Sequence, residues 1–149
     1  MTIKASARVE EILNHFAEAM SGLLIDQHQK HVAELDLTLL QAQVLRVLRR
    51  GALPTGQLAA ELRISAPAIT QLTDRLARKG LIERRPAVDD RRTVLVALSA
   101  KGRRLVDQFR KRRADLFSKA LAELSEGEQE QIVEALGKVV TLLESHQAR

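Results

Sequence analysis

The hydrophobic period of the chain changes from that of a helix to that of a strand within residues 65–98, and that change limits the fold more than any other feature. Ile69, Leu72 and Leu76 recur at spacings of three and four, the period of a helix with one buried face. Gly80 closes the run with a residue free to take positive φ. Leu81 to Arg85 and Thr93 to Leu98 then read as two short strands joined by Pro86 to Arg92. Everything before this helix then serves to position it.

Upstream, Thr38-x-x-Gln41 has the form of a capping box, in which a hydroxyl and an amide side chain satisfy orphan N–H groups at a helix start. Leu40, Val44, Leu45, Val47 and Leu48 are that helix's apolar positions, and Gly51 stops it. Pro54 and Thr55 open a short third helix with Thr55 as N-cap and Leu58, Ala59 and Leu62 facing inward. Arg63 and Ile64 form a turn, and Ser65 caps the fourth helix. Two short helices separated by a tight turn make a helix-turn-helix, and the hairpin behind them makes a wing.

Longer helices flank this lobe. From about Ala5 to Val32, Val9, Ile12, Leu13, Phe16, Met20, Leu23 and Leu24 follow a helical period, over a length that exceeds what a small core needs. Part of that face is therefore expected to meet another chain. Ser99 starts a fifth helix with Leu105, Phe109, Leu116, Phe117 and Leu121 inward, and Ser125-x-x-Glu128 is a second capping box. It opens a last helix striped with Ile132, Val133, Leu136, Val139, Val140 and Leu143, which the first helix of the same or of a second chain would cover. The fold class is mainly α with a small β-wing, a winged helix-turn-helix flanked by N- and C-terminal helices.

Charge is distributed unevenly. Residues 1–62 carry six Lys/Arg against seven Asp/Glu, residues 63–113 fifteen against five, and residues 114–149 three against seven. The central third holds all of the positive excess, which points to a polyanionic partner. At 149 residues the chain has no room for a second, enzyme-sized domain. The absence of Cys excludes disulfides and thiolate chemistry. Lys4 and Arg8 precede an acid-bearing amphipathic run without an apolar signal region, and no run of 18 apolar residues occurs. A cytoplasmic protein with no membrane partner is the expectation.

The start of the fourth helix, Ser65-Ala66-Pro67-Ala68, is built from small residues that let its N-terminus approach the floor of a major groove. Thr70 and Gln71 follow one turn later, able to reach base edges or phosphates, and Gln pairs in bidentate fashion with adenine. Arg75, Arg78 and Lys79 are placed for flanking phosphates, as are Lys101, Arg103 and Arg104 beyond the wing. The wing tip carries Asp90, Arg91 and Arg92; an Arg there can enter a minor groove, with the Asp90 carboxylate orienting the Arg92 guanidinium. No Ser, His or acid has the setting of a nucleophile, a phosphate loop or a hydrolytic metal site, so no catalytic residue and no cofactor are expected. His28, His31 and Glu34 share a helix side at spacings of three, but without a fourth ligand they are not read as a metal site.

The run Asp90-Arg91-Arg92, then Val94 to Leu98 and Ser99-Ala100-Lys101-Gly102, resembles the wing signature of the MarR family of winged-helix transcriptional regulators, and Leu72 to Ile82 is similar to that family's recognition-helix exit. The resemblance covers nearly the whole chain. It implies a single subunit over 1–149 with a DNA-binding lobe at 36–98 and dimerisation helices at 5–33 and 99–146. It further implies a homodimer, to which Val9, Ile12, Phe16, Ile132, Leu136, Val140 and Leu143 would contribute. Each subunit would lay Ser65 to Lys79 in a major groove of a near-palindromic operator in double-stranded DNA, with Arg92 in the adjoining minor groove, most simply as a repressor. Many members release DNA when a small molecule binds between the dimer helices and the reading lobe. With no Tyr or Trp and three Phe, an effector pocket here would be lined mainly by aliphatic side chains. The alternative is a helical interaction module whose winged helix contacts protein, which leaves the basic central third without a reason.

Overall fold

A computed structural model describes residues 7–147, except the side chains of His28, His31 and Val32. The expected helix start at Ala5 and the spacing of His28 and His31 thus lie outside the described residues. The elements are α1 (Ala7–Leu35), α2 (Leu39–Leu48), β1 (Leu53–Pro54), α3 (Thr55–Leu62), α4 (Ala66–Arg78), β2 (Ile82–Pro86), β3 (Val94–Leu98), α5 (Ala100–Leu121) and α6 (Glu126–Gln147). They form two compact units, Met1–Gln108 and Phe109–Arg149.

In the first unit, α2 begins at the expected capping box. Thr38 Oγ1 accepts from the Gln41 amide at 3.1 Å, and Gln41 Oε1 accepts from the Thr38 amide at 3.0 Å. These bonds allow the Gln41 side chain to be buried without loss of partners. Val44, Leu45 and Leu48 point into a core shared with Leu58, Ile69, Leu76, Leu81, Ile82, Val96, Leu98 and Val106. Leu45, Leu58 and Leu76 are fully buried, each contributing on the order of 2 kcal/mol by removal of apolar surface from water.

The sheet is larger than the sequence indicates. Three antiparallel strands run in the order β1-β3-β2, with Leu53 opposite Val96 and Pro54 opposite Leu95. β1 has only two residues, too few to show a period, and its proline sits at a sheet edge where a missing N–H costs little. β1 also displaces the expected cap of α3. Pro54 is the N-cap residue, with extended φ and ψ of −60° and 144° and no side-chain cap bond. Thr55 is instead the first helical residue, because the strand runs directly into the helix.

The second unit contains the end of α5 and all of α6. Leu121 and Leu124 carbonyls accept from Gln129 Nε2 at 3.1 and 3.0 Å, closing the turn between the helices. Ser125 and Glu128 form the expected box: Glu128 Oε2 accepts from the Ser125 amide at 2.8 Å, and Ser125 Oγ accepts from the Glu128 amide at 3.3 Å. The Ser125 amide and then its hydroxyl hold the Glu128 carboxyl below the usual carboxylate range. No described residue of α6 is buried, and Val133, Leu136, Val140, Leu142 and Leu143 are exposed.

Candidate nucleic-acid interface

Helix α4 is amphipathic in the expected register. Ile69, Thr73 and Leu76 are buried, whereas Ala66, Pro67, Thr70, Gln71, Arg75 and Arg78 are exposed on the other side. Its start is fixed by Ser65, whose hydroxyl accepts from the Ala68 amide at 3.3 Å, and by the preceding turn, in which Arg63 takes a left-handed φ of 54°. That turn returns the Ile64 amide to the Ala59 carbonyl at 3.1 Å, so α3 ends and α4 begins within three residues. Gly80, at φ 71°, ends the helix as its sequence position predicts.

The wing is held at its base to the turn that follows α4 and, midway along β2, to α4 itself. At its base, the Ser99 amide donates to the Leu81 carbonyl at 3.1 Å and the Ser99 hydroxyl to the Gly80 carbonyl at 2.6 Å, while Ser99 Oγ accepts from the Gly102 amide at 3.0 Å. Higher up, Arg84 of β2 pairs with Asp74 of α4. The Arg84–Asp74 pair escapes sequence reading, because its members lie ten residues apart and meet only through the fold of the hairpin.

At the tip, the Ala87 amide donates to the Thr93 carbonyl at 2.9 Å, and Val88, Asp89, Arg91 and Arg92 are exposed. Asp90 acts differently from the expectation. Its Oδ1 accepts from the Arg92 backbone amide at 2.9 Å and its Oδ2 from the Thr93 hydroxyl at 3.1 Å. The carboxylate thus shapes the turn rather than orienting the Arg92 guanidinium, since an Asp reaches the amide two residues on more readily than a long side chain. The guanidinium of Arg92 is left without a bond among the described residues, and so is that of Arg75.

The remaining cations divide. Arg78 Nε donates to the Asp74 carbonyl at 3.4 Å and stays exposed. Lys79 is tied instead to the turn after α1, donating to the Asp36 carbonyl and reaching its carboxylate at 3.4 Å. Asp36 holds a left-handed φ of 51°, which directs its carbonyl toward that lysine. This tie was not legible either, as 43 residues separate the two. Lys101 Nζ in turn donates to the Lys79 carbonyl at 3.0 Å.

Around these lysines lies a cavity of about 540 Å³, lined by Leu35, Leu37, Leu81 and Leu105, by Arg78, Lys79, Lys101 and Arg104, and by Gln108. Its apolar part is aliphatic, as the composition requires, but its cations were not foreseen. Among the described residues no cluster of His, Asp or Glu is arranged to hold a metal. Nor is any helix there long and apolar enough to cross a membrane.

Comparison with known proteins agrees with this geometry. A model described as MarR family matches residues 35–93. An uncharacterised HTH-type transcriptional regulator of Mycobacterium bovis is 31% identical over 109 residues, covering 72% of this chain and 76% of that protein. The multiple antibiotic resistance protein MarR of Escherichia coli is 36% identical over 80 residues, covering 53% of this chain and 56% of that protein. Among solved structures, a MarR family protein from Bacillus stearothermophilus superposes with a TM-score of 0.78 at 22% identity, covering 95% of this chain and 99% of that one. A mutant of MepR from S. aureus, solved bound to an oligodeoxyribonucleotide, gives a TM-score of 0.65 at 25% identity, over 88% and 97% of the two chains.

Proposed function

The chain belongs to the MarR family of helix-turn-helix transcriptional regulators, and from that premise we propose that it is a dimeric, sequence-specific repressor. In this reading α4 of each subunit enters a major groove and the wing tip an adjoining minor groove. The single observation that carries it is the exposed face of α4, with Ala66 and Pro67 in its first turn, Thr70 and Gln71 after them, and Arg75 and Arg78 beyond. Ser65 and Ala68 set the start of that face, and Arg91 and Arg92 extend it at the wing. Lys79 serves as a tether to Asp36 more than as a phosphate ligand.

The lobe spanning residues 36–98 is the reading unit, and the terminal helices join two copies in the cytoplasm. Support for dimerisation comes from apolar side chains left in water: Ile12 and Phe16 of α1 are 60% and 47% exposed, and Leu136, Val140 and Leu143 of α6 are 40%, 50% and 59% exposed. Val9 lies on the same helix as the α1 pair, whereas Ile132 is half-buried. Apolar stripes of this length are covered in a stable protein. Two subunits then present two copies of α4 about one DNA turn apart.

Selection of binding sites from random-sequence double-stranded DNA tests this reading. The expected product is an inverted repeat with half-site centres about 10 base pairs apart. No enrichment, together with no gel retardation at low salt, would favour a protein-binding role for the winged helix.

The cavity beside α4 supports regulation by a small molecule with an anionic head and an aliphatic body. Such a molecule would compete with Asp36 for Lys79 and draw Arg78 away from phosphate. Octanoate serves as a probe: DNA affinity is expected to fall about tenfold on saturation, a coupling within the usual range for effectors. Equal DNA affinity with and without octanoate would refute this ligand class.

A further inference from the structure

The hydrogen bonds of the two exposed hydroxyls on the leading face of α4 are polarised in opposite senses. Thr70 Oγ1 lies 3.0 Å from the Ala66 carbonyl, and a carbonyl only accepts, so the single hydroxyl proton of Thr70 is turned into its own helix. Toward the outside Thr70 offers lone pairs and a methyl group. Ser65 does the reverse: its oxygen accepts from the Ala68 amide, and its proton remains available to a partner. Thr73, the third hydroxyl, is buried with its one proton shared between the Ile69 and Thr70 carbonyls, 2.9 and 3.0 Å away.

From this we infer that Thr70 is a specificity-determining residue that reads its base solely as a hydrogen-bond acceptor. The assignment rests on the DNA-binding reading given above and deepens it. Exposed in the major groove, adenine N6 and cytosine N4 are donors, whereas guanine O6, thymine O4 and N7 of either purine are acceptors. An outward-facing lone pair is matched by an amino group and opposed by a keto group. The operator strand facing Thr70 therefore carries adenine or cytosine at one position of each half-site. β-Branching keeps the side chain from escaping this constraint, because a threonine in a helix has few χ1 choices and the observed one makes the bond to the carbonyl four residues back. Ser65, with its proton free, takes the complementary partner, a phosphate or a keto oxygen.

The test is site selection from random-sequence DNA with the wild type, Thr70→Val and Thr70→Ser. Valine keeps the shape and removes the acceptor; at an exposed position it leaves the melting temperature unchanged, which a thermal scan checks. The wild type is expected to prefer an amino base over a keto base at one half-site position. Thr70→Val should lose that preference by about tenfold at that position alone. Thr70→Ser should retain part of it, since serine can make the same bond to Ala66 but is not held to it by β-branching. An enriched wild-type site whose every position is unaffected by Thr70→Val overturns the assignment, as does a wild-type preference for guanine or thymine at the position valine relaxes. If the wild type enriches no site, the DNA-binding reading falls first and the assignment falls with it.

Discussion

Gly102→Ala is expected to destabilise the protein by about 3 kcal/mol, lowering the melting temperature by roughly 10 °C. A Cβ built at Gly102 would sit 2.0 Å from the Leu81 carbonyl oxygen, 2.9 Å from its carbonyl carbon and 3.3 Å from its Cα. These are backbone atoms, so they cannot rotate away as a side chain would. The Leu81 carbonyl is held in place by the Ser99 amide, and the Gly102 amide is held by Ser99 Oγ. Relief requires moving the start of α5 away from the base of the wing, which breaks the junction with Gly80. Helix propensity alone favours alanine by up to about 1 kcal/mol, so the sign of the change discriminates between the two effects. Gly56→Ala, at a helical glycine with nothing within 4 Å, provides the control and should stabilise by about 0.5 kcal/mol. Chemical denaturation of the three proteins measures both, and a Gly102→Ala variant as stable as the wild type would refute the close approach.

What the sequence discloses here is local. The caps at Thr38, Ser65 and Ser125 each link a hydroxyl to an amide three residues on, and all three are found as read. The amphipathic register of α4 and the positive φ of Gly80 are equally local properties. What escapes is non-local or too short to carry a period. β1 is two residues long and is defined only by its pairing with β3. Arg84–Asp74 and Lys79–Asp36 join residues distant in sequence, and the second ties a lysine that was expected to face phosphate to the turn after α1.

Two further differences have a chemical origin. At Asp90 the spacing to Arg92 was legible, but two partners stood within reach and the backbone amide won, because it lies closer and costs less side-chain entropy than a guanidinium. At the start of α5 the apolar pattern indicated Leu105, which packs half-buried against the core, but gave no sign of Gly102 and Val106, the residues fully buried there. That face is set by the close approach to Leu81, which a hydrophobic period does not encode.

The salt dependence of operator binding has the largest expected effect of all. Two subunits, each offering the guanidinium groups of Arg75 and Arg92, which make no bond among the described residues, with Arg78 and the cations of early α5 nearby, would contact roughly 6 to 10 phosphates. Each contact releases condensed counterions, so affinity should fall by about three to five decades between 50 and 200 mM salt. Arg75→Ala removes one cation per subunit from the exposed face of α4, and Arg92→Ala removes one from the wing. The most direct measurement is fluorescence anisotropy of a selected operator titrated with wild type and each variant across that salt range. The account predicts a steep wild-type slope that becomes shallower by about two in each variant dimer, with the dimer itself intact. Binding that ignores salt, or variants that bind as tightly and as steeply as the wild type, would contradict the claim that α4 and the wing form a DNA-reading surface.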